Sequence, residues 1–342
     1  KGGQMKTNGK IVLAGGSGFL GIHLAKSLTA EGYEVVVLSR RFNTRTGAWC
    51  SAFWDGATKG PWCAELEGAK AVVNLSGRSV DCRYNARNRR LIMESRLKST
   101  RILALAIKDA ATPPELFINA ASATIYADTR GAAAANDESN GVIGEGFSVT
   151  VCREWEAEFN RWTFDRTWQV CLRIAITLGE DGGAMVPLRR LARLGLGGWQ
   201  GPGNQLVSWL HVDDFCGIVQ QLLAGHLRGD LYNCASPQAL KNRDFMRIVR
   251  RSAGGLGRFI GLPMPAWLLK IGAVLIRTEP ELILKSRKVA PGNLLREGYQ
   301  FKYTELDDAL SKIALPPSAL RRGFPGQARN RPKCDTRPEC CN

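Results

Sequence analysis

This sequence predicts a doubly wound α/β fold: a parallel sheet covered by helices on both faces, with a smaller, mostly helical lobe towards the C-terminal end. Three features carry the prediction. The chain opens on a strand, glycine turn, helix and second strand; apolar strands then alternate with amphipathic helices; and after residue 235 the pattern turns helical with scattered prolines. Alternation of this kind sets successive strands parallel and requires helices on both faces to bury them.

The opening run "KIVLAGGSGFLGIHLAKSLTAEGYEVVVLSRR" places a strand over Ile11 to Ala14, a helix over Ile22 to Ala30 and a strand over Glu34 to Leu38, which is a βαβ unit. "AKAVVNLSG" reads as a buried parallel strand, "NRRLIMESRLKSTRILALAIKDA" as a long helix, and "ELFINAASATIY" as an apolar strand ending in small polar residues. A helix over 148–162 leads to the strand "QVCLRIAITLG", and the glycines through "GLGGWQGPGN" predict an excursion over the sheet edge at 181–209. "SWLHVDDFCGIVQQLLAG" returns as a turn and helix with Asp213 or Asp214 as its cap. The organisation is therefore a large domain over 10–235, a lobe over 236–318 broken at Pro263, Pro265 and Pro280, and a tail over 319–342. The tail lacks periodicity and is rich in Arg, Pro and Cys, so it is expected to be disordered.

With 342 residues and 44% apolar content, the chain is long enough to bury a substantial core. No apolar run reaches the roughly 18–20 residues of a membrane span; "AWLLKIGAVLI" is shorter and interrupted by Lys270. "KGGQMKTNGK" shows no secretion-type apolar region, so the expected location is cytoplasmic. The ten cysteines form no pairing framework, and His23, His211 and His226 lie far apart, so neither a disulfide scaffold nor a metal site is expected. Much of the excess behind the net charge of +16 lies in short arginine groups at 83–101, 187–193, 243–251 and 321–337 without aromatic stacking motifs between them. That distribution favours solvated faces and contacts to an anionic small molecule over nucleic acid. A small-molecule substrate is the expected partner, with neither nucleic acid nor a membrane, and the chain is expected to be a monomer or homodimer.

Gly15, Gly18 and Gly21, with Gly16 in the same turn, stand where a strand must reverse tightly, approach a pyrophosphate and pack closely on a helix. Ser17, Phe19 and Leu20 complete a loop whose helix N-terminus suits an anion, so a dinucleotide site is expected here. At the end of the second strand stand Ser39, Arg40 and Arg41, where an acid would bind a free ribose hydroxyl. Two guanidiniums suit a 2′-phosphate, which points to NADP(H), with NAD(H) as the alternative.

With these marks the chain resembles an extended short-chain dehydrogenase/reductase. More narrowly, it resembles the atypical branch of the NAD-dependent epimerase/dehydratase family, of YfcH-like type, with a C-terminal DUF1731-type domain. The similarity runs from about residue 10 to 316 through "AGGSGFLG", "VVNLSGRSVDCRY", "SRLKSTRIL", "INAASATIY", "VCREWEAEF", "LRIAITLGEDGGAM", "GLGGWQGPGNQLVSWLHVDD", "LYNCASP" and "GAVLIRTEPELILKSRKVAPGNLL". The resemblance implies a Rossmann fold, a nicotinamide cofactor across the strand ends and a substrate-binding C-terminal lobe.

Catalytically typical members carry a Ser or Thr at the end of the fifth strand and a Tyr-x-x-x-Lys pair on the next helix. Ser122 fits the serine position, but the pair falls on Ser148 and Cys152. Val151, Trp155, Phe159 and Trp162 form an apolar stripe that sets this register, with Ser148, Cys152 and Glu156 on the neighbouring stripe. A serine is a poor acid near neutrality and a cysteine carries no permanent positive charge. Tyr126 is a candidate acid or a pocket wall; Cys152 is either a thiol activated beside Arg153 or an inert buried one. His211 offers pocket chemistry or a structural hydrogen bond. Arg96 holds substrate, replaces the lost positive charge or makes a surface ion pair. Asn74, Leu75, Ser76 and Gly77 are expected along the cofactor ribose, and Arg83 and Tyr84 against an anionic substrate. The expected function is an NADP(H)-dependent oxidoreductase or epimerase of a small polar substrate, nucleotide sugars among them. The alternative is a cofactor-binding module with little turnover that signals to a partner protein.

Overall fold

The computed structural model describes residues 7–40, 49–131, 133–265, 267 and 284–311. Its elements are β1 (Lys10–Ala14), α1 (Phe19–Ala30), β2 (Glu34–Ser39), β3 (Cys50–Phe53), β4 (Ala71–Asn74), α2 (Ala86–Asp109), β5 (Leu116–Ser122), α3 (Phe147–Asn160), β6 (Trp168–Ile174), β7 (Ile176–Leu178), α4 (Met185–Arg193), β8 (Leu206–Val207), β9 (Trp209–His211), α5 (Val212–Leu223), β10 (Leu231–Cys234), β11 (Leu240–Lys241), α6 (Asn242–Ala253), α7 (Gly292–Arg296) and α8 (Leu306–Ser311).

Seven strands make one sheet in the order β10-β6-β5-β4-β1-β2-β3, and every pairing in it is parallel. This is the doubly wound, Rossmann-type arrangement that the alternation of strands and helices predicts. Side chains alternate across each strand, so one apolar run serves two cores. Ile11, Leu13, Val35 and Val37 pack with Leu24 and Leu28 of α1 and Phe215, Ile218 and Leu222 of α5. Val12, Ala14, Val36 and Leu38 face Leu103 and Ile107 of α2 and Phe159 of α3. A third cluster joins Leu178, Met185 and Trp209 to Phe245, Met246 and Val249 of α6 and Leu306 of α8, which ties the last described segment to the excursion after β7.

Three local details depart from the sequence reading. "QVCLRIAITLG" is two strands: β6 ends at Ile174 and β7 pairs with β9 in a small separate sheet. β3 is an additional edge strand, mostly exposed, whose short "CSAF" carries no buried apolar run. The cap of α5 is neither Asp213 nor Asp214 but His211, whose Nδ1 accepts from the Asp213 amide at 3.1 Å. Both aspartates sit in the first helical turn, and the Asp214 carboxylate accepts the amides of Lys302 and Tyr303 at 2.6 and 3.2 Å. Arg41, Pro280 and the tail over 319–342 lie outside the described residues. Among the described residues no helix is long and apolar enough to cross a membrane.

Candidate functional site

The neighbours of β1 are β2 on one side and β4 on the other, so the crossovers leave in opposite directions and a crevice opens at the carboxyl ends of β1 and β4. The glycine turn fills one wall of it. Gly15 has φ +73°, and a Cβ there would stand 2.9 Å from both Cα and Oγ of Ser76. Only glycine meets both demands. A Cβ at Gly21 would lie 2.4 Å from the Gly16 Cα, so α1 rests directly on the turn backbone.

Gly18 is different, because a Cβ there meets only the Gly15 carbonyl at 3.5 Å. It is the N-cap of α1, and among the described residues no side chain caps the helix and no acid stands in its first turn. The amides of Phe19, Leu20 and Gly21 thus begin the helix beside exposed Ser17, with the dipole directed at the crevice. Ser76 Oγ, on the facing turn, is buried and has no hydrogen-bond partner among the described residues. An uncapped helix start, a turn without Cβ atoms and an orphaned hydroxyl fit a bound diphosphate. Ser39 and exposed Arg40 stand at the end of β2, one strand over.

The strand ends next to the turn are held by a buried polar network. Asn74 Oδ1 accepts the Ser76 amide at 3.1 Å, while Nδ2 donates to Asn119 Oδ1 at 2.7 Å and Thr100 Oγ1 at 3.1 Å. Trp155 Nε1 reaches the same Thr100 hydroxyl at 3.0 Å. The indole in turn supports Arg96, whose guanidinium lies 5.0 Å from its ring centroid and donates to the carbonyls of Arg78 and Ile92. A Cβ on Gly77 would stand 3.1 Å from Arg96 Cζ, so the loop after β4 closes over that cation. Burial pushes the Arg96 guanidinium down from its ordinary value, with Cys152 and Tyr84 opposing. No carboxylate pairs with it among the described residues, so the surface ion-pair reading is not what the geometry displays.

On α3, Ser148, Cys152 and Glu156 are all buried, as the stripe predicts. Ser148 Oγ has no partner among the described residues. Burial pushes the Cys152 thiol up to about 12, Glu156 adds to the rise, and Arg96, Arg287 and the Ser122 hydroxyl oppose it. Cys152 is a neutral thiol here. Ser122 and Arg96 thus both lie close enough to Cys152 to act on its thiol, and Ser122 Oγ also accepts the Thr124 amide at 3.2 Å.

Glu156 belongs to a second network. Its two oxygens take a bidentate pair of 2.8 Å bonds from Arg173 of β6, and Arg173 Nη1 donates to the Tyr126 hydroxyl at 2.8 Å. That hydroxyl also bonds Asn233 Oδ1 at 2.9 Å. Tyr126 is 2% exposed, and burial raises its phenol against the opposing influence of Arg173. Its proton is committed inside the fold.

The remaining predicted residues lie elsewhere. His211 caps α5, packs on Tyr303 at 4.2 Å and is pushed down to about 4 by burial, with Asp213 opposing, so it is neutral at physiological pH. Arg83 is exposed, and the Tyr84 ring stands edge-on to Phe147, the first residue of α3, at 5.0 Å. Unanticipated is the loop after β7. A Cβ on Gly179 or Gly182 would lie 2.6 or 2.3 Å from the Phe19 ring, and Asp181 bonds His23 at 2.7 Å, so this loop covers the start of α1. Thr100, Asn119, Trp155, Arg173 and Asn233 are likewise additions. Asn119 and Arg173 had a sequence signal, as polar residues inside apolar strands; Trp155 was legible only as a packing residue of the apolar stripe, and Thr100 had none.

Comparison with known proteins adds a family. The model of the NAD dependent epimerase/dehydratase family matches residues 11–144, and that of a domain of unknown function, DUF1731, matches 264–313. The chain is similar to the epimerase family protein SDR39U1 of Homo sapiens, 32% identical over 308 residues that cover 89% of this chain and 99% of the relative. An Arabidopsis thaliana homologue of that protein, described as chloroplastic, is 27% identical, covering 91% and 88%. The crystal structure of the human protein (isoform 2) with NADPH superposes with a TM-score of 0.77 at 32% identity, covering 89% of this chain and 98% of that one.

Proposed function

The chain belongs to the NAD dependent epimerase/dehydratase family, and from that premise we propose that it binds NADP(H) in the crevice between β1 and β4 and acts as an atypical oxidoreductase or epimerase on a small polar substrate, nucleotide sugars among them. The observation that carries the proposal is the glycine turn. Gly15 and Gly21 have no room for a side chain, while Gly18, at the uncapped start of α1, faces open space that a ligand's phosphates can approach. The human relative, which shares this architecture, is described with NADPH.

In this reading the first-turn amides of α1 hold the diphosphate, the Ser76 hydroxyl, unpartnered among the described residues, bonds the cofactor, and Asn74, Leu75 and Gly77 border the adjoining ribose. Arg40, with Arg41 beside it in sequence, takes the 2′-phosphate. A bound nicotinamide supplies the hydride-transferring carbon. The protein's part is positional: Ser122 donates a hydrogen bond to the reacting substrate oxygen, and Arg96, a cation with no carboxylate partner among the described residues, supplies the positive charge that Cys152 lacks. Tyr126 serves as a strut in the Arg173 network, which leaves a water as the proton carrier.

Calorimetry on the nucleotide-stripped chain tests the binding step. NADPH should bind, and Arg40→Asp should weaken it about tenfold by removing a charge-assisted contact while leaving NADH nearly unchanged. Equal losses for both coenzymes refute the assignment, and absence of heat with either removes the whole reading. A second reading, a cofactor-binding module with little turnover, is favoured by the neutral Cys152 and by the absence of a Tyr-Lys pair on α3. Ser122→Ala separates the two: under the enzyme reading it abolishes substrate-dependent NADPH oxidation and leaves NADPH affinity intact.

A further inference from the structure

We propose that the outer face of the lobe formed by α4 and the segment after α6 docks onto an anionic membrane surface. Six large apolar side chains are exposed there: Leu194 (69%), Trp199 (46%), Leu256 (63%), Phe259 (82%), Ile260 (50%) and Leu262 (56%). Singly exposed apolar residues are ordinary, but a cluster of this size marks an interaction site.

The cluster is held rigidly by backbone. Leu262 donates to the Gly195 carbonyl at 2.9 Å, Gly198 to Leu262 at 3.1 Å and Met264 to Trp199 at 2.9 Å, so the two segments run side by side. Small residues take the inward positions: a Cβ on Gly257 would stand 1.8 Å from the Ala192 carbonyl oxygen, and one on Gly198 2.2 Å from that of Leu262. With glycine filling the inside, the bulky side chains have only the outside to occupy.

Charge decides the occupant. The same two segments of the chain carry Arg190, Arg251 and Arg258, all exposed, while half-buried Arg250 lies against Gly197 and Gly261 and Arg193 donates to the Ala253 carbonyl. The sequence contains no Asp or Glu between Asp181 and Asp213, nor between Asp244 and Glu279, so both contributing segments are free of acid. Two copies of such a face would set arginines against arginines across a two-fold axis. Nucleic acid would leave Leu256, Phe259 and Ile260 unrewarded. The boundary between headgroups and acyl chains of an anionic bilayer satisfies both features, burying the apolar knob while the arginines meet phosphates. The inference does not depend on the cofactor reading.

Flotation of the full chain with vesicles of phosphatidylcholine alone, or with about a third phosphatidylserine, tests it. Binding is expected to the anionic vesicles and to fall with added salt. Combined Arg190→Gln, Arg251→Gln and Arg258→Gln should weaken it by about fivefold per arginine, on the order of a hundredfold in all. Leu256→Ser with Phe259→Ser should weaken it comparably while leaving the melting temperature and NADPH affinity unchanged, because both side chains face outward. Absence of binding to anionic vesicles, or variants that bind as the parent does, overturns the proposal. So does a dimer, seen by sedimentation, that the Leu256 and Phe259 changes dissolve.

Discussion

The glycine turn after β1 and the buried stripe of α3 stand at two positions that mark the family, yet only the turn keeps the full family pattern. The turn depends on backbone: free amides, a positive φ and absent Cβ atoms define it, so its capacity to receive an anion persists as long as the steric pattern does. The stripe works through side chains. It keeps its packing and burial with Ser148, Cys152 and Glu156, but the Cys152 thiol is held neutral by burial and both Glu156 oxygens are taken by Arg173. Packing and chemistry are therefore separable on one helix, and Glu156 has been drawn into a structural ion pair instead.

The largest test of that contrast is Glu156→Gln. It leaves the Arg173 guanidinium buried without its carboxylate, and the loss of stability by urea unfolding should be about 3–5 kcal/mol, with NADPH affinity of the folded protein unchanged. A loss under about 1 kcal/mol would mean that the pair is not the strut described here.

Thiol reactivity follows. At pH 8 Cys152, held at about 12, should react with iodoacetamide on the order of a hundredfold more slowly than exposed Cys50; comparable rates, read by peptide mass spectrometry, would return Cys152 to the list of reactive groups. Gly21→Ala comes next. With Gly16 Cα 2.4 Å from the new methyl, the helix must shift off the turn, and about 1–3 kcal/mol of stability should be lost together with cofactor binding. Gly18→Ala is the smallest and the most selective. Its methyl meets only a carbonyl at 3.5 Å, so the melting temperature should hold while NADPH weakens about tenfold, or about 1.4 kcal/mol. If binding too is unchanged, the backbone does not approach a ligand there.

Much of this was legible beforehand, because the relevant signals are local. Strand and helix periods, the glycine spacing and the register of α3 depend on residues a few positions apart, and the structure places Ser148, Cys152 and Glu156 together on the buried face as the spacing requires. What was not legible depends on partners far away in the chain. His211, rather than an aspartate, caps α5 because β9 pairs with β7 and brings its ring under Tyr303. Tyr126 resembles a free phenol beside Ser122 until Arg173 and Asn233, 47 and 107 residues away, are seen to hold it.

The sequence by itself determined the parallel fold, the family and the position and shape of the turn at β1, since steric exclusion and hydrophobic period are written in short spans. Only the tertiary structure decided which polar groups are spent on one another and which, such as the Ser76 and Ser148 hydroxyls, have no partner among the described residues. Hydrogen bonds and burial are settled by which side chains meet across the sheet, so the roles of Tyr126, Arg96 and Glu156 emerge only when the strand ends are brought together.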